Sequence, residues 1–521
     1  MALVFGAVVM LLPGCSKKSD RAELVVINGA EPETLDPAEI TGQLEGRIAY
    51  TLFEGLVCYD ERGEVQPGVA EKWEVSPDGL VYTFHLRRDA QWSNGDPVTS
   101  ADFMKSWKRT LLPVTASEYA YQLHYVKNAK PFNEGTLTDF SQVGVAAPDA
   151  HTFVVTLESP TPFFLDLCAF TTLLPVHLPS VEKHGGEWTK PANLIGNGAY
   201  LLTSWRLNDP IRLTKNPRYW NRDAIKMNTI DVIPGARANT ALNLYLTGAA
   251  DVMLDKGLAP TQLLDKLRSR PDFHSAPFLG TYFVRFNTTK KPFDDPRVRR
   301  AFALVIDRKV LVEKITRAGE IPALSFVPPG TAGYQSPQGP GTNSEEARRL
   351  LAEAGYPGGK GFPSLSYLYK GDSDLDRDLA IELQGMWRKE LGVNVALAGQ
   401  EWKVYLSSMS SLDYDLCRSS WVGDYRDPNT FLDMFIKDGG NNRTGWADPE
   451  YDQWIAEAAR ELDPAKRFAI FQKAEHRLVS EGAPIAPLYY YVGIQFYDAT
   501  RLGGIGANLL DEHPLKTMYW K

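Results

Sequence analysis

The residues able to do chemistry are thinly spread along this chain. Eight histidines are dispersed, and the nearest pair, His177 and His184, fits neither an HExxH metal motif nor a common zinc-finger spacing. Gly358-Gly359-Lys360-Gly361 lacks the earlier glycine of a phosphate-binding loop and has Gly361 where Ser or Thr would follow the lysine. Gly196 with Gly198, and Gly504 with Gly506, each lack the third glycine of a dinucleotide fingerprint. Asp372, Asp374, Asp376 and Asp378 imitate a calcium loop until Arg377 falls on the turn-glycine position and Leu383 on the bidentate-glutamate position. A helix N-terminus rich in acids is the better reading of that run. GxSxG is absent. These counts indicate no metal and no cofactor. Carboxylate pairs for glycoside hydrolysis leave no spacing signature, because such residues meet only in the fold, so a secreted hydrolase stands as the alternative from a different class. Asp424, beside Tyr425 in a turn before Pro428, reads first as a turn or capping residue. Asp427 already supplies that N-cap, which frees Asp424 for another role.

The elements that would position such residues alternate between strand and helix. Val81 to Leu86 places Tyr82, Phe84 and Leu86 on one face of a strand, and His151 to Leu157 alternates likewise. Ser93-Asn94-Gly95-Asp96-Pro97 is a turn. Asp295 followed by Pro296 opens a helix that carries Val298, Phe302 and Val305 on one stripe. Asn343 opens another, with Ala347, Leu350, Leu351 and Ala354 buried and Gly355 at its stop. No fixed-period repeat interrupts this mixture, and Val327 to Gly341 is a Gly/Pro-rich loop. The pattern predicts an α/β fold.

Composition narrows the class. The chain has 521 residues with 56 Lys+Arg against 64 Asp+Glu, a net charge of −8, and no run of four basic residues, which argues against nucleic acid as a partner. Hydrophobic residues make up 44%, enough to build a core in two to four domains or interwoven lobes. The first 15 residues, MALVFGAVVMLLPGC, are uncharged and apolar from Ala2 to Leu12, as in the h-region of an export signal. The charged SKKSD that follows reads as a solvated tether. Beyond Cys15 only Cys58, Cys168 and Cys417 remain, too few for a disulfide framework.

Several segments together carry a resemblance. They are TLDP at 34 to 37, LFEGLVCYDERGEVQPGVAEKWEVSPDGLVYTFHLR from Leu52, NGDPVTSADFMKSWKR from Asn94, NLIGNGAYLLTSW from Asn193 and NPRYW at 216 to 220. FDDPRVRRAFALVIDR from Phe293 and WVGDYRDPNTFL from Trp421 complete the set. In this order they resemble the family 5 extracellular solute-binding proteins of ABC importers, most closely the periplasmic oligopeptide-binding proteins. Leu12-Pro13-Gly14-Cys15 resembles a bacterial lipobox, with Pro13 and the absence of a preceding Lys or Arg as departures.

The resemblance implies a type II, Venus-flytrap periplasmic-binding-protein fold of two lobes with an extra β-rich domain inserted early. Residues 1–15 would be the lipoprotein signal peptide ending at the lipidated Cys15. Segments 16–53, 180–279 and 492–521 would form lobe I, 54–179 the inserted domain II, and 280–491 lobe III. The function implied is capture of short peptides between lobes that close and then dock on the permease subunits of the importer, without catalysis. The protein would be a monomer, periplasmic or extracytoplasmic, held at the inner membrane by its lipid. A receptor for murein peptides or oligosaccharides is the alternative within the fold.

By the same resemblance the ligand backbone lies along Arg418 to Asp424, with Ser420, Trp421 and Val422 as contacts and Asp424 receiving the α-ammonium group. Trp402 and Trp421 would wall side-chain pockets, and Tyr119 would stand near the peptide backbone. Tyr489, Tyr490 and Tyr491 cannot all face the cleft, since consecutive strand residues alternate. Two departures are specific to this chain. Gly280 and Val422 stand where relatives carry a cystine. Of the basic residues relatives use for ligand carboxylates, Arg418 is kept, whereas Met409, Asp376 and Gln495 occupy the other positions. Read without the family, Arg418 would pair with nearby Asp413 or Asp415.

Overall fold

The computed structural model describes residues 21–234, 237–371, 373–437 and 439–521. Cys15 lies outside them. Among the described residues, eleven strands form one mixed sheet. Its order begins with Val395–Gln400, Leu365–Lys370, Leu416–Val422, Phe273–Phe286 and Ile485–Phe496. It continues through Val252–Met253, Leu24–Gly29, Thr229–Pro234, Ile211–Lys215 and Tyr200–Ser204, with Ile321–Pro322 added beside Ile485–Phe496.

Two long strands, Phe273–Phe286 and Ile485–Phe496, tie the halves of this sheet together. They pair antiparallel from Phe273 opposite Phe496 to Pro277 opposite Val492, and again from Thr281 opposite Tyr490. Between those stretches Phe278, Leu279 and Gly280 face Tyr491 alone, a bulge that bends the ladder where the halves meet. Gly280 is required there, because a Cβ would lie 2.5 Å from the Tyr491 ring. Gly280 is also directly opposite Val422, so the two positions without the relatives' cystine are cross-strand neighbours.

Separate hydrophobic cores flank the bulge. Val492, Ile494 and Phe496 pack with Val25, Ile27 and Met253 on one side. Leu488 and Tyr489 pack with Phe302, Tyr367, Trp387 and Leu416 on the other. The helix expected after Asp295 is Pro296–Leu304, capped by the Asp295 carboxylate, and Phe302 is fully buried. The helix after Asn343 is Ser344–Glu353, with Asn343 accepting from the Glu346 N–H. The acidic run opens the helix Asp374–Leu391, capped by Ser373.

A four-stranded antiparallel sheet stands apart, in the order Ala70–Val75, Val81–Leu86, Thr152–Thr156, Val145–Asp149. Tyr82, Phe84, Leu86, Phe153 and Val155 point inward as the alternation required, and Phe103 and Trp107 of the helix Ser100–Leu111 cover them. No helix among the described residues is long and apolar enough to cross a membrane.

Candidate functional site

The strand Leu416–Val422 presents an open edge. It pairs antiparallel with Phe273–Phe286, and Gly423 N–H donates to the Leu279 carbonyl at 2.8 Å. Antiparallel ladders alternate, so Ser419 and Trp421 bond inward while Arg418, Ser420 and Val422 turn their N–H and C=O groups to the opposite edge. Leu365–Lys370 covers that edge only at Leu416 and Cys417. The Tyr405 hydroxyl donates to the Arg418 carbonyl and closes it one residue further. Ser420 and Val422 are therefore left with backbone groups facing the cleft, ready to pair with an added extended chain.

Past the open edge stands Asp424. Its N–H donates to Thr430 Oγ1 at 3.1 Å, which fixes the turn, and Tyr121 donates its phenol to Asp424 Oδ2 at 3.1 Å. Burial pushes this carboxyl up to about 6, opposed by Tyr121 and by the nearby Gln122 amide. Gln122 opposes that shift through its proximity, because neither of its buried amide atoms reaches hydrogen-bond geometry with a partner among the described residues. Asp424 caps no helix. Asp427 takes that duty, accepting from Asn429 N–H at 2.9 Å. Its carboxylate is also forked by Arg467 at 2.6 and 2.8 Å, with both side chains buried.

Asp424 borders a cavity of about 400 Å³ walled by Tyr50, Tyr59, Tyr119 and Phe170, with Glu512 on a further side. Glu512 is pushed up to about 8 by burial, with Arg47 opposing and Asp511 adding to the shift. Tyr119 packs on Phe170 and Tyr121, and burial together with the charge of Asp424 raises its phenol to about 12. The segment after Asp424 is fastened to the four-stranded unit. Tyr425 stacks flat on Phe163 with ring centres 3.9 Å apart, and Arg426 reaches Asp166 at 3.0 Å and Glu64 at 2.8 Å.

The other end of the edge is arranged differently from the sequence reading. Arg418 does not pair with Asp413 or Asp415. Its Nε lies 3.4 Å from Oδ2 of Asp376, which the first turn of the helix Asp374–Leu391 brings beside it, and Asp415 instead accepts from Ser366 N–H. Tyr282 donates to the other Asp376 oxygen at 2.7 Å, and the Arg418 guanidinium sits 5.0 Å from the Tyr282 ring. Met409 fills the space under Tyr405, its sulfur 3.5 Å from the hydroxyl. Trp402 is more than a third exposed and stacks on Tyr405 at 5.4 Å, with the Lys370 ammonium over its far face. Gln495 is committed elsewhere, donating to Asp511 in the other half-sheet.

Trp421 packs part-buried against the core of Phe283 and Phe431, and its indole N–H has no partner among the described residues. Of the tyrosine trio, Tyr489 and Tyr491 join Tyr282 on one face, whereas Tyr490 turns away to Ser325. The fold thus groups Tyr119 and Val422 with Asp424, and Trp402 with Arg418. Sequence reasoning missed Tyr121, Gln122 and Glu512 as neighbours of the site, and it placed Asp376 where relatives carry a ligand-binding cation without pairing it to Arg418. The alternation Tyr119, Tyr121 in YAYQ was the one local signal for Tyr121.

A mixed sheet split by two crossing strands, with an open strand edge and a cavity beside the split, defines a two-lobed solute-binding protein. The chain belongs to the bacterial extracellular solute-binding proteins, family 5, whose middle-region family model matches residues 64–443. It is similar to the periplasmic oligopeptide-binding protein OppA of Salmonella typhimurium, 38% identical over 518 residues and covering 98% of this chain and 94% of that protein. It is equally similar, at 38% over 489 residues, to the periplasmic murein peptide-binding protein MppA of Escherichia coli, covering 92% of this chain and 90% of that one. Among solved structures, the unliganded open form of MppA superposes with a TM-score of 0.82 at 38% identity, covering 96% of this chain and 98% of that one. Haemophilus influenzae OppA in complex with the peptide RPPGFSPFR superposes at 0.78 and 35% identity, covering 95% and 98%.

Proposed function

We propose that this chain is the substrate-binding component of an ABC importer that captures short peptides in the inter-lobe cleft and delivers them to the permease. The observation that carries the reading is the open backbone at Ser420 and Val422 leading to Asp424, a half-buried carboxylate that accepts from the neutral Tyr121 phenol. An extended peptide adds a strand there, so affinity rests on main-chain pairing and on the α-ammonium at Asp424. Tyr119 walls the first side-chain pocket, Trp421 and Trp402 line those further along, and Arg418 with Trp402 meets the far end.

Residues 16–53, 180–279 and 492–521 act as lobe I, 54–179 as an inserted domain and 280–491 as lobe III, turning about the bulge at Phe278 to Gly280. Ligand binding between them supplies the free energy of closure, and no bond is made or broken. The protein acts outside the cytoplasm as a monomer, tethered through Cys15. Exchange of Cys15 for Ala is expected to release it from the membrane fraction; a full-length precursor that takes up no fatty acid and fractionates as soluble would remove the anchor.

The function itself is tested by mass spectrometry of what the purified, then denatured, protein releases. Peptides with a free α-amine are expected, murein-derived peptides being the narrower form of that result. Recovery of sugars, or of bound ligand converted to hydrolysis products, would overturn it.

A further inference from the structure

Arg418 is the one arginine along the open edge, and an aspartate already stands beside it at ion-pair distance, although Nε makes no hydrogen bond among the described residues. Asp376 lies 3.4 Å from Nε, and the two side chains are 5% and 13% exposed for Asp376 and Arg418 respectively, so little water screens the pair. Three features hold the carboxylate in place. Tyr282 donates to its free oxygen, the Ser373 hydroxyl accepts from its backbone N–H, and its position in the first turn of Asp374–Leu391 sets it at the positive end of the helix dipole. Tyr282 also stacks against the guanidinium. Arginine and aspartate therefore form one electroneutral unit braced by a shared tyrosine.

The surroundings add no replacement charge on the strand side. Met409, the other residue facing this end from the helix Trp402–Ser410, offers a thioether in contact with Tyr405. Lys370 lies over the Trp402 ring, Lys256 is ion-paired to Glu320, and the Arg285 guanidinium is turned to Ser419 and the Asn441 carbonyl. A ligand carboxylate brought to the Arg418 Nη atoms would share the guanidinium with Asp376 and face its negative charge. An amide or ester at the same place meets no such opposition. At the opposite end, Asp424 and Glu512 border the same cavity, and no Lys or Arg among the described residues lines it.

We propose that this cleft reads its ligand from the ammonium end only, and that the Asp376–Arg418 pair makes it accept a far end without a free carboxylate. Asp376 is then a specificity-determining residue. The proposal deepens the peptide-binding reading above and rests on it. Arg418 and Asp424 are six residues apart, about 20 Å of extended chain, so ligands of different length bring their far ends to different depths.

The test is calorimetry with peptides of three to six residues, each made as free acid, C-terminal amide and N-acetylated acid, on wild type and Asp376→Asn. Asparagine keeps the shape and the Tyr282 contact but removes the charge. Wild type is expected to bind acid and amide within about threefold at every length, and Asp376→Asn to favour the acid at least tenfold at the length that reaches Arg418. An acid preference of tenfold or more in wild type at any length overturns the proposal, as does a variant whose ratio is unchanged at all lengths. The wild-type comparison needs no variant, so a misfolded Asp376→Asn chain does not shield the idea. The acetylated arm separates the two claims: if acetylation costs nothing, the peptide reading falls, whatever the far end does.

Discussion

Replacing Asp424 by asparagine lowers affinity for a free-amine peptide roughly 10- to 150-fold, the equivalent of about 1.5–3 kcal/mol for a charge-assisted hydrogen bond in a closed cleft. The same cost is expected when wild type is offered the N-acetylated peptide, and the two losses do not add, because each removes the same contact. Calorimetry of both peptides on both proteins gives the cycle. Equal acetylation penalties in wild type and variant would clear Asp424 of the role.

Acidity supplies an independent readout. Desolvation pushes the Asp424 carboxyl up to about 6, and only its ionised form pairs with an ammonium. Affinity therefore rises about tenfold in all as pH passes from 5 to 7, and falls again once the peptide amine deprotonates near 8. Asp424→Asn should flatten the acid limb. Stability of the empty protein runs the other way. An acid whose folded pKa is raised favours the fold while protonated and loses that contribution as pH rises through its folded value. For Asp424 the loss falls between about pH 4 and 6, and for Asp433, pushed up to about 8 by burial and by the charges of Asp424 and Asp427, it extends to about pH 8. Bound ammonium offsets the first of these.

The second large effect lies behind the site. Arg467 and Asp427 form a bidentate pair with side chains 3% and 6% exposed, and Asp427 also accepts the Asn429 N–H at the start of the helix Asn429–Leu432. Arg467→Met leaves Asp427 buried and uncompensated, and the expected loss is about 3–5 kcal/mol of unfolding free energy. Adding Asp427→Asn to that variant removes the lone charge, preserves the acceptor for Asn429, and should recover a large part of the loss. Chemical denaturation of wild type, the two single variants and the double variant measures the coupling. A double variant no more stable than Arg467→Met would mean that the pair does not set the stability of this turn. Since Asp427 stands three residues from Asp424, the single variant is also expected to weaken peptide binding without touching ligand.

Local order was legible wherever burial follows a period. The alternation in VYTFHL produced an inward face of Tyr82, Phe84 and Leu86, and the Asp295-Pro296 and Asn343 signals placed two helix starts, because caps and amphipathic stripes are set by residues within one or two turns. Family motifs identified the segment from Trp421 to Asp424, and the freeing of Asp424 by Asp427 followed from spacing alone. What surrounds those residues did not. Tyr121 meets Asp424 across 303 residues of chain, Asp376 meets Arg418 from the first turn of a helix, and Glu512 arrives at the cavity from the C-terminal segment. The surface alternatives Asp413 and Asp415 were close to Arg418 in sequence, but the turn before the strand Leu416–Val422 carries Asp415 to Ser366 and Asp413 to Lys290. Tertiary structure alone decides such partners, because a charge in low dielectric is paired by whatever packing and sheet register bring within a few ångströms, and both depend on segments hundreds of residues apart.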